Sequence, residues 1–319
     1  MRGAQHIVIQ SRRIRYDFTI QRNITIIAGD SATGKTTLVD MVRDYYENGA
    51  DSGITLTCDK ECTVLYGRNW QAQLALYSDS IVFIDEGSAF VTSEDFARAI
   101  QGTDNYYVII TRESLENLPY SVREIYGLRE SGKYGGLKQR YNELYRLHGL
   151  LQSNTLARAG KAVIEDSNAG FEFFSAVFSE RQIPCVSAQG KSNIFGMLTN
   201  MPDDETVLVI ADGAAFGSQV GKLSMLIKQG RQIILYLPES FEWLILQADF
   251  LKDNAIRDIL RQPSEAIESA RYISWERFFT ELLAEKTAGS IWEYHKRRLN
   301  PIYLHEQNKK AILAAGAGG

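Results

Sequence analysis

The chain begins with short segments in which apolar and polar side chains alternate, and then changes to apolar runs separated by helical periodicity. Alternation is typical of half-buried strands, whereas short apolar runs are typical of strands buried on both faces. The elements predicted in this first part are strands at 7–9, 14–20 and 24–28, a helix at 36–45, a hairpin at 54–66, and strands at 80–84 and 106–111. Strands that alternate with helices predict a parallel sheet covered on both faces.

A second alternation of strands and helices begins at residue 161, after a stretch rich in tyrosine and glycine. The elements predicted there are strands at 162–164, 183–187, 206–210 and 232–237, and helices at 170–181, 193–200 and 217–229. The fold class that follows is α/β with two doubly wound domains. We therefore expect domains at 1–125 and 161–250, a helical linker at 126–160, a helical extension at 251–310 and a disordered tail at 311–319.

Composition sets limits on partners and location. The 319 residues are 45% hydrophobic, which is ordinary globular composition with enough length for two cores. The formal net charge of −4 gives no overall reason to bind nucleic acid, so any contact with DNA must be local. No apolar run approaches the roughly 20 residues needed to cross a bilayer, and the first residues lack the apolar core of a signal peptide. We expect a cytoplasmic protein with no membrane partner, in which Cys58, Cys62 and Cys185 are reduced thiols.

One motif carries a specific chemistry. The pattern G-x-x-x-x-G-K-[ST] is satisfied between the apolar run at 24–28 and the helix at 36–45 by Gly29, Asp30, Ser31, Ala32, Thr33, Gly34, Lys35 and Thr36. Backbone amides of such a loop face phosphates, the lysine reaches the β and γ phosphates, and the hydroxyl ligates Mg²⁺. We therefore expect ATP and Mg²⁺ to bind here, with Thr37 beside them. The alternative is a coincidental glycine turn.

Two further strand ends carry polar residues suited to that site. Asp85 and Glu86 follow the apolar residues 81–84. Asp85 would hold Mg²⁺ through water, and Glu86 would orient or activate the attacking water. Arg112, preceded by Thr111, ends the next buried strand and would sense the γ-phosphate. Taken alone, they could be an ordinary acidic turn and a surface arginine at a strand end.

With these strands and motifs, the first 115 residues resemble the ATP-binding-cassette ATPases, in the lineage shared by SMC proteins and the overcoming-lysogenization-defect (OLD) nucleases. Arg112 stands where those families usually carry a switch histidine. Too few residues separate Lys35 from Asp85 for the helical subdomain that carries the family signature, and residues 131–136 resemble that signature only loosely and in the wrong order. The resemblance implies ATP hydrolysis and a homo-oligomer or partner protein, without the usual head-to-tail ATP sandwich.

Carboxylates also end two predicted strands of the second domain. Glu165 follows 162–164 and Asp212 follows 206–210. Because the carboxyl ends of neighbouring parallel strands converge on one crevice, the two side chains could share a divalent cation. Such a cation commonly activates water for phosphodiester cleavage. The alternative is that both are acidic residues of ordinary turns.

Residues 160–250 resemble the TOPRIM domain that follows the ATPase in OLD nucleases. The matching segments are 163–165, 171–174, 190–194, Asp212 and 239–242. TOPRIM sites usually carry Asp-x-Asp after the third strand, whereas this chain has Asp212-Gly213-Ala214. Either Glu239 or Glu242 replaces the lost ligand, or the site binds one metal, or it binds none productively. The resemblance implies a second divalent metal, Mg²⁺ or Mn²⁺, at Glu165, Asp212 and Glu242. A receiver-like domain is the rival interpretation, but it needs a lysine after a fifth strand, and the candidate strand at 271–274 offers none.

The whole sequence predicts an ATP-binding and ATP-hydrolysing protein whose P-loop domain controls a TOPRIM-like, metal-dependent DNA nuclease domain. Family analogy places such proteins in defence against phage. The basic run at 296–298 and three tryptophans, Trp243, Trp275 and Trp292, could contact DNA, although a solvated helix end is the simpler interpretation of the basic run. The alternative function is an ATP-dependent switch without nuclease activity, whose second domain binds a partner or nucleic acid.

Overall fold

The computed structural model describes residues 2–29, 34–131, 139–147 and 159–316. The chain divides into two compact units, each with its own sheet. The first unit comprises Met1–His148 and Pro263–Ile273, and the second comprises Gly149–Gln262 and Ser274–Gly319. The protein is therefore α/β, with a mixed sheet in the first unit and a parallel sheet in the second. No helix among the described residues is long and apolar enough to cross a membrane.

The first unit is built around a nine-stranded sheet in the order β4-β1-β2-β9-β8-β3-β7-β6-β5. Its strands are β1 (Gln5–Gln10), β2 (Ile14–Ile20), β3 (Ile24–Ile27), β4 (Thr55–Thr57), β5 (Cys62–Val64), β6 (Ile81–Ile84), β7 (Tyr106–Ile110), β8 (Ile125–Glu130) and β9 (Arg140–Arg146). The helices between them are α1 (Lys35–Asn48), α2 (Trp70–Leu74) and α3 (Glu94–Ala99). Strands β8, β3, β7, β6 and β5 run parallel, whereas β1 pairs antiparallel with both β2 and β4.

The parallel strands are buried on both faces. Every residue of β3, β6 and β7 is buried, because helices cover both sides of this part of the sheet. Neighbouring residues of one strand face different cores: Ile27 packs in a cluster with Leu38 of α1, whereas Ile26 packs with Phe96 of α3. The predicted parallel sheet is therefore confirmed for this half, and the antiparallel strands extend it on one side.

The predicted hairpin at 54–66 is wrong. Its two halves form β4 and β5, but β4 pairs with β1 at one edge of the sheet and β5 pairs with β6 at the other. The side chains explain this choice, because Cys62 and Val64 of β5 belong to the core under α1 and are buried only beside β6. A local turn at Asp59 and Lys60 would have left that apolar surface in water.

The predicted helical linker at 126–160 is also wrong where the structure describes it. Strands β8 and β9 pair antiparallel and lie inside the sheet, between β2 and β3. Strand β9 has a polar sequence, but cross-strand contacts stabilise it: Arg129 pairs with Glu143 at 2.9 Å, and Tyr145 lies over the bare backbone of Gly127. Residues 132–138 and 148–158 lie outside the described residues.

The second unit has a parallel sheet in the order β11-β10-β12-β13. Its strands are β10 (Lys161–Ile164), β11 (Cys185–Ser187), β12 (Val207–Ile210) and β13 (Ile233–Tyr236). Its helices are α4 (Ala169–Ser179), α5 (Lys191–Thr199), α6 (Gly217–Lys228), α7 (Phe241–Gln247), α8 (Asn254–Arg261), α10 (Trp275–Thr287) and α11 (Glu306–Ala315), whereas α9 (Pro263–Ala266) lies in the first unit. The alternation predicted from residue 161 is confirmed.

The predicted helical extension at 251–310 does not form one body. Its segment Pro263–Ile273, which includes α9, belongs to the first unit. The amide of Gly3 donates to the Ser264 carbonyl at 2.8 Å, and the amide of Ala4 donates to Glu265 Oε1 at 3.2 Å. The chain therefore leaves the second unit after Gln262 and returns to it at Ser274, directly before α10.

Two smaller expectations for the C-terminal part are wrong as well. Residues 271–274 form turns, so the candidate fifth strand does not exist. The predicted disorder from 311 is contradicted by α11, which continues to Ala315 because Ile312 is completely buried. Residues 317–319 lie outside the described residues.

Candidate functional site

The glycine motif lies where the central strand β3 passes into α1. Strand β3 is hydrogen-bonded to β7 on one side and β8 on the other, and the amide of Ala28 donates to the Tyr126 carbonyl at 2.7 Å. Gly29 and Gly34 have φ angles of 115° and 90°, a region that other residues rarely adopt. The strand, glycine and helix context predicted for the motif is therefore present. Asp30, Ser31, Ala32 and Thr33 lie outside the described residues.

Lys35 begins α1 and folds back toward the start of the loop. Its Nζ donates to the Gly29 carbonyl at 2.8 Å, and the residue is only 5% exposed. Thr36 and Thr37 follow in the first turn of α1 and are exposed. The lysine thus connects the two ends of the loop. The two exposed threonines lie at the helix N-terminus, where the first backbone amides of a helix have no helical partners.

Tyr16 of β2 is hydrogen-bonded to the end of this loop. Its hydroxyl donates to the Gly34 carbonyl at 2.7 Å, and it also hydrogen-bonds the side chain of Thr37. Burial raises the pKa of Tyr16 to about 12, so the phenol stays a neutral donor. A Cβ at Gly34 would come within 3.0 Å of this hydroxyl, so the tyrosine and the glycine fit each other. Sequence reasoning missed Tyr16, because nothing in an alternating strand distinguishes a supporting tyrosine from a core one.

The carboxylate pair lies two strands away from the loop, at the carboxyl end of β6. Asp85 Oδ1 accepts a hydrogen bond from the Glu86 amide at 2.8 Å. Partial burial raises the pKa of Asp85, the Glu86 amide counteracts this, and the negative charge of Asp40 adds to the increase. A site that disfavours an isolated carboxylate favours one that is paired with a cation.

Arg112 follows β7, which lies between β3 and β6. Its Nε lies 2.8 Å from Glu86 Oε1, and the two side chains are 51% and 37% exposed. The Thr111 hydroxyl accepts from the Glu113 amide at 3.0 Å and stabilises the turn after the strand. The structure therefore places Arg112 in contact with Glu86, a pairing that the sequence did not predict, while its role as a γ-phosphate sensor stays a prediction.

In the second unit, Glu165 and Asp212 lie together as predicted. They follow β10 and β12, which pair with Ile164 opposite Ile210, and the Asp212 amide donates to Glu165 Oε2 at 3.0 Å. Both line a cleft of about 240 Å³. The same cleft is lined by Glu242 at the start of α7 and by three residues of the C-terminal part, namely Glu276, Tyr294 and Lys296.

Negative charge is concentrated in this acidic cleft, whose carboxylates are Glu165, Asp166, Asp212, Glu242 and Glu276. Desolvation raises the pKa of Glu165 to about 7, while the Asp212 amide opposes the increase and Glu276 adds to it. Desolvation also raises the pKa of Asp212 well above its usual range, and the charges of Glu276, Glu165 and Glu242 act in the same direction. The carboxylates thus destabilise one another unless a proton or a cation lies among them.

Two of these carboxylates already have partners from the C-terminal part. The Tyr294 hydroxyl donates to Glu242 Oε1 at 2.7 Å, and Lys296 Nζ lies 2.6 Å from Glu276 Oε1. Sequence reasoning missed Glu276 and Tyr294, since they belong to a segment that returns to the second unit only after Pro263–Ile273. No signal in the sequence places them near Asp212.

The structure also explains why no second aspartate follows Asp212. The Gly213 amide donates to the Pro238 carbonyl at 2.6 Å, and a Cβ at position 213 would come within 2.5 Å of the Leu237 carbonyl oxygen. Ala214 is 1% exposed, so an aspartate in its place would be buried in the core.

The donors of the acidic cleft have suitable chemistry for Mg²⁺ or Mn²⁺, but their arrangement does not fit a bound metal. Among the residues that the structure describes, no group of three or more His, Cys, Asp or Glu side chains could hold a metal ion. Glu165, Asp212 and Glu242 line one cleft as predicted, yet Glu242 is bonded to Tyr294 and the nearby Glu276 to Lys296. No catalytic step through a metal is therefore derived at this cleft.

Comparisons with known proteins add no function. No protein-family model matches the chain, and no curated protein matches it. What the two sites can do therefore follows from their geometry.

Proposed function

We propose that the first unit binds a nucleoside triphosphate, ATP in view of the resemblance, together with Mg²⁺, and hydrolyses it. The observation that carries this proposal is the transition from β3 into α1, with left-handed Gly29 and Gly34 and with Lys35 folded across the loop. Amides at the N-terminus of the 14-residue helix α1 supply the positive field that phosphates require. The strand order supports the proposal, since it brings Asp85 and Glu86 to the same edge of the sheet.

Each residue then has a defined task. Lys35 would exchange its bond to the Gly29 carbonyl for the β and γ phosphates. Thr36 and Asp85 would hold Mg²⁺, which neutralises charge on the phosphate oxygens. Glu86 would orient the attacking water and accept its proton.

Glu86 can act on water only after Arg112 has left it. In the present structure Arg112 Nε lies 2.8 Å from Glu86 Oε1 and so occupies a carboxylate oxygen that would otherwise contact the attacking water. Phosphate oxygens compete for a guanidinium through charge-assisted hydrogen bonds. A bound triphosphate would draw Arg112 away from Glu86 and release Glu86 for the reaction. Arg112 would thus sense the nucleotide by changing its partner from Glu86 to the γ-phosphate.

The proposal is tested first by binding. A fluorescent ATP analogue should bind the wild type in a Mg²⁺-dependent manner, and Lys35→Ala should weaken it at least tenfold. Lys60→Ala is the matched control, because Lys60 pairs with Asp79 in the same unit and takes no part in the loop. Equal affinity for all three proteins would reject the nucleotide site.

Hydrolysis is the second test. Glu86→Gln should retain binding and lose turnover by a factor of at least about 100, consistent with the size of general-base contributions. Glu94→Gln, at the exposed start of α3, should leave turnover unchanged. Wild-type turnover in Glu86→Gln would remove Glu86 from the proposed mechanism.

For the second unit, two candidate functions have specific support. The five carboxylates that line one cleft, together with the TOPRIM resemblance, support cation-dependent cleavage of a phosphodiester such as DNA, which would require the carboxylates to rearrange around the cation. The bonds from Tyr294 and Lys296 favour the alternative, an ATP-dependent switch whose second unit binds a partner without cutting nucleic acid. Incubation with plasmid and Mn²⁺, with and without ATP, separates them. Cleavage that Asp212→Ala abolishes supports the nuclease, and an uncut plasmid in every condition supports the switch.

A further inference from the structure

Two cysteines of the first unit, Cys58 and Cys62, lie where the chain passes from one edge of the sheet to the other. Strands β4 and β5 are the edge strands, and residues 58–61 alone connect them. Nine strands laid flat at a spacing of about 4.8 Å would place the two edges roughly 38 Å apart. The connection from Thr57 to Cys62 can span at most about 18 Å even when fully extended. The sheet therefore curls, and the cysteines lie at the junction of its edges.

The two thiols are in contact across the bend at residues 59–60. Their side chains are hydrogen-bonded to each other, and Cys62 Sγ lies 3.9 Å from a second acceptor, the Lys60 carbonyl oxygen. Both cysteines pack against the core under α1, but Cys62 is only 4% exposed whereas Cys58 is half-buried. A reagent in solvent therefore reaches Cys58 first, and Cys62 lies directly behind it.

This contact gives the two sulfur atoms different chemistry. The hydrogen bond from Cys62 lowers the pKa of Cys58 to about 6, although partial burial opposes the decrease, so Cys58 is mainly a thiolate at pH 7. The same hydrogen bond and burial raise the pKa of Cys62, which therefore stays a thiol. A thiolate that is open to solvent is the form that peroxides oxidise, and a second thiol beside it can complete a disulfide.

We propose that Cys58 and Cys62 form a modification site at which hydrogen peroxide reversibly converts the two thiols into a disulfide. The Cys58 sulfur attacks a peroxide oxygen and the O–O bond breaks, which leaves a sulfenic acid on Cys58 and releases hydroxide. The Cys62 sulfur then attacks the Cys58 sulfur, the S–O bond breaks, and the departing hydroxide takes the Cys62 proton as water. Two electrons pass from the thiols to the peroxide, and an external dithiol restores the reduced form by thiol–disulfide exchange.

The fold permits this bond without the loss of a strand. The sulfur atoms must approach to about 2.05 Å, and residues 58–61, which would absorb the movement, belong to neither β4 nor β5. The disulfide would join the end of β4 to the start of β5 and so fasten the two edges of the curled sheet to each other. The proposal is independent of nucleotide binding at the glycine loop and of any activity at the acidic cleft.

Peptide mapping of the oxidised full chain tests the proposal. Trypsin cleaves after Lys60, between the two cysteines, so a disulfide yields one linked pair of peptides in place of two separate peptides. With an equimolar amount of hydrogen peroxide at pH 7, the wild type should lose the mass of two hydrogen atoms and give the linked pair. Dithiothreitol should restore the separate peptides. Cys185, whose pKa burial raises, should stay a thiol in the same sample. Absence of the linked pair would overturn the proposal.

Single substitutions assign the two roles. Cys62→Ser should stop the reaction at the Cys58 sulfenic acid, which dimedone labels, and Cys58→Ser should leave Cys62 a thiol. Cys185→Ser is the matched control and should give the linked pair as the wild type does. Oxidation of Cys62 at the wild-type rate in Cys58→Ser would overturn the proposed order of attack.

A comparison of the folded and unfolded wild type tests the role of the contact. The linked pair should form more slowly in urea, where the hydrogen bond between the thiols is lost. An equal rate in urea would show that the closeness of the cysteines in sequence is sufficient, and it would overturn a site built by the fold.

Discussion

Removal of one hydroxyl tests whether β2 supports the nucleotide loop. Tyr16 is completely buried, and its hydroxyl donates to the Gly34 carbonyl at 2.7 Å. Tyr16→Phe deletes this bond, together with the bond to the exposed Thr37 side chain, and leaves the ring in place. The Gly34 carbonyl keeps a second partner, the Leu38 amide at 3.0 Å, so no buried acceptor is left without a hydrogen bond.

The expected loss in the free energy of unfolding is small, because the Gly34 carbonyl still accepts a hydrogen bond from the Leu38 amide. A hydrogen bond contributes about 0.5–1.5 kcal/mol to the free energy of unfolding when its loss leaves no buried acceptor without a partner. If the same energy also helps to hold Gly34 in its left-handed conformation, nucleotide affinity should fall roughly two- to tenfold, since 1.4 kcal/mol corresponds to a factor of ten. A larger effect on affinity would mean that the hydroxyl contacts the nucleotide itself.

Tyr106→Phe is the control for this change. Tyr106 is 1% exposed and donates to the Gly3 carbonyl at 2.8 Å, at the amino end of β7 and therefore at the opposite edge of the parallel strands from the loop. Urea unfolding should show a similar loss of stability in both variants, whereas an ATP analogue should distinguish them. Wild-type affinity in Tyr16→Phe, or an equal loss of affinity in Tyr106→Phe, would refute the supporting role.

Three further outcomes test other parts of the structure. Iodoacetamide should modify Cys58 faster than Cys185 at pH 7. A hydrogen bond from the Cys62 thiol lowers the pKa of Cys58 to about 6, whereas burial raises the pKa of Cys185. The rate of modification of Cys58 should therefore fall as the pH drops below about 6. Gly213→Ala should lower the free energy of unfolding by about 1–3 kcal/mol and Gly160→Ala should not, since only the first Cβ would meet a backbone carbonyl at 2.5 Å. Ile312→Ala should cost about 2–5 kcal/mol in urea unfolding if α11 packs as observed, and nothing if the tail is disordered.

The sequence was most informative where burial is independent of distant partners. Strands β3, β6 and β7 are apolar at every position because helices cover both faces of the sheet, so their runs could be recognised one at a time. The positions of Asp85, Arg112, Glu165 and Asp212 follow from such strands, since each residue comes directly after one or within two residues of its end.

The failures have a common physical origin in contacts between residues far apart in the chain. The polarity of β9 is compensated by β8, through Arg129 with Glu143, and a single-strand pattern cannot show a partner. The same holds for β4 and β5, which do not pair with each other through a local turn. Each pairs with a different strand, β4 with β1 and β5 with β6, at opposite edges of the sheet. Glu276 reaches the acidic cleft through the return of the chain at Ser274, which no periodicity predicts.

In both units, a carboxylate of the candidate site is paired with a cation of its own chain. Glu86 lies 2.8 Å from Arg112, and Glu276 lies 2.6 Å from Lys296. Pairs that retain solvent exposure contribute little to stability, so a ligand of suitable charge can exchange one partner for itself. Phosphate oxygens would take Arg112 and leave Glu86 free to act on water. The chemistry of the nucleotide site would thus begin with an exchange of ion-pair partners, which charge-preserving and charge-removing substitutions at Arg112 distinguish.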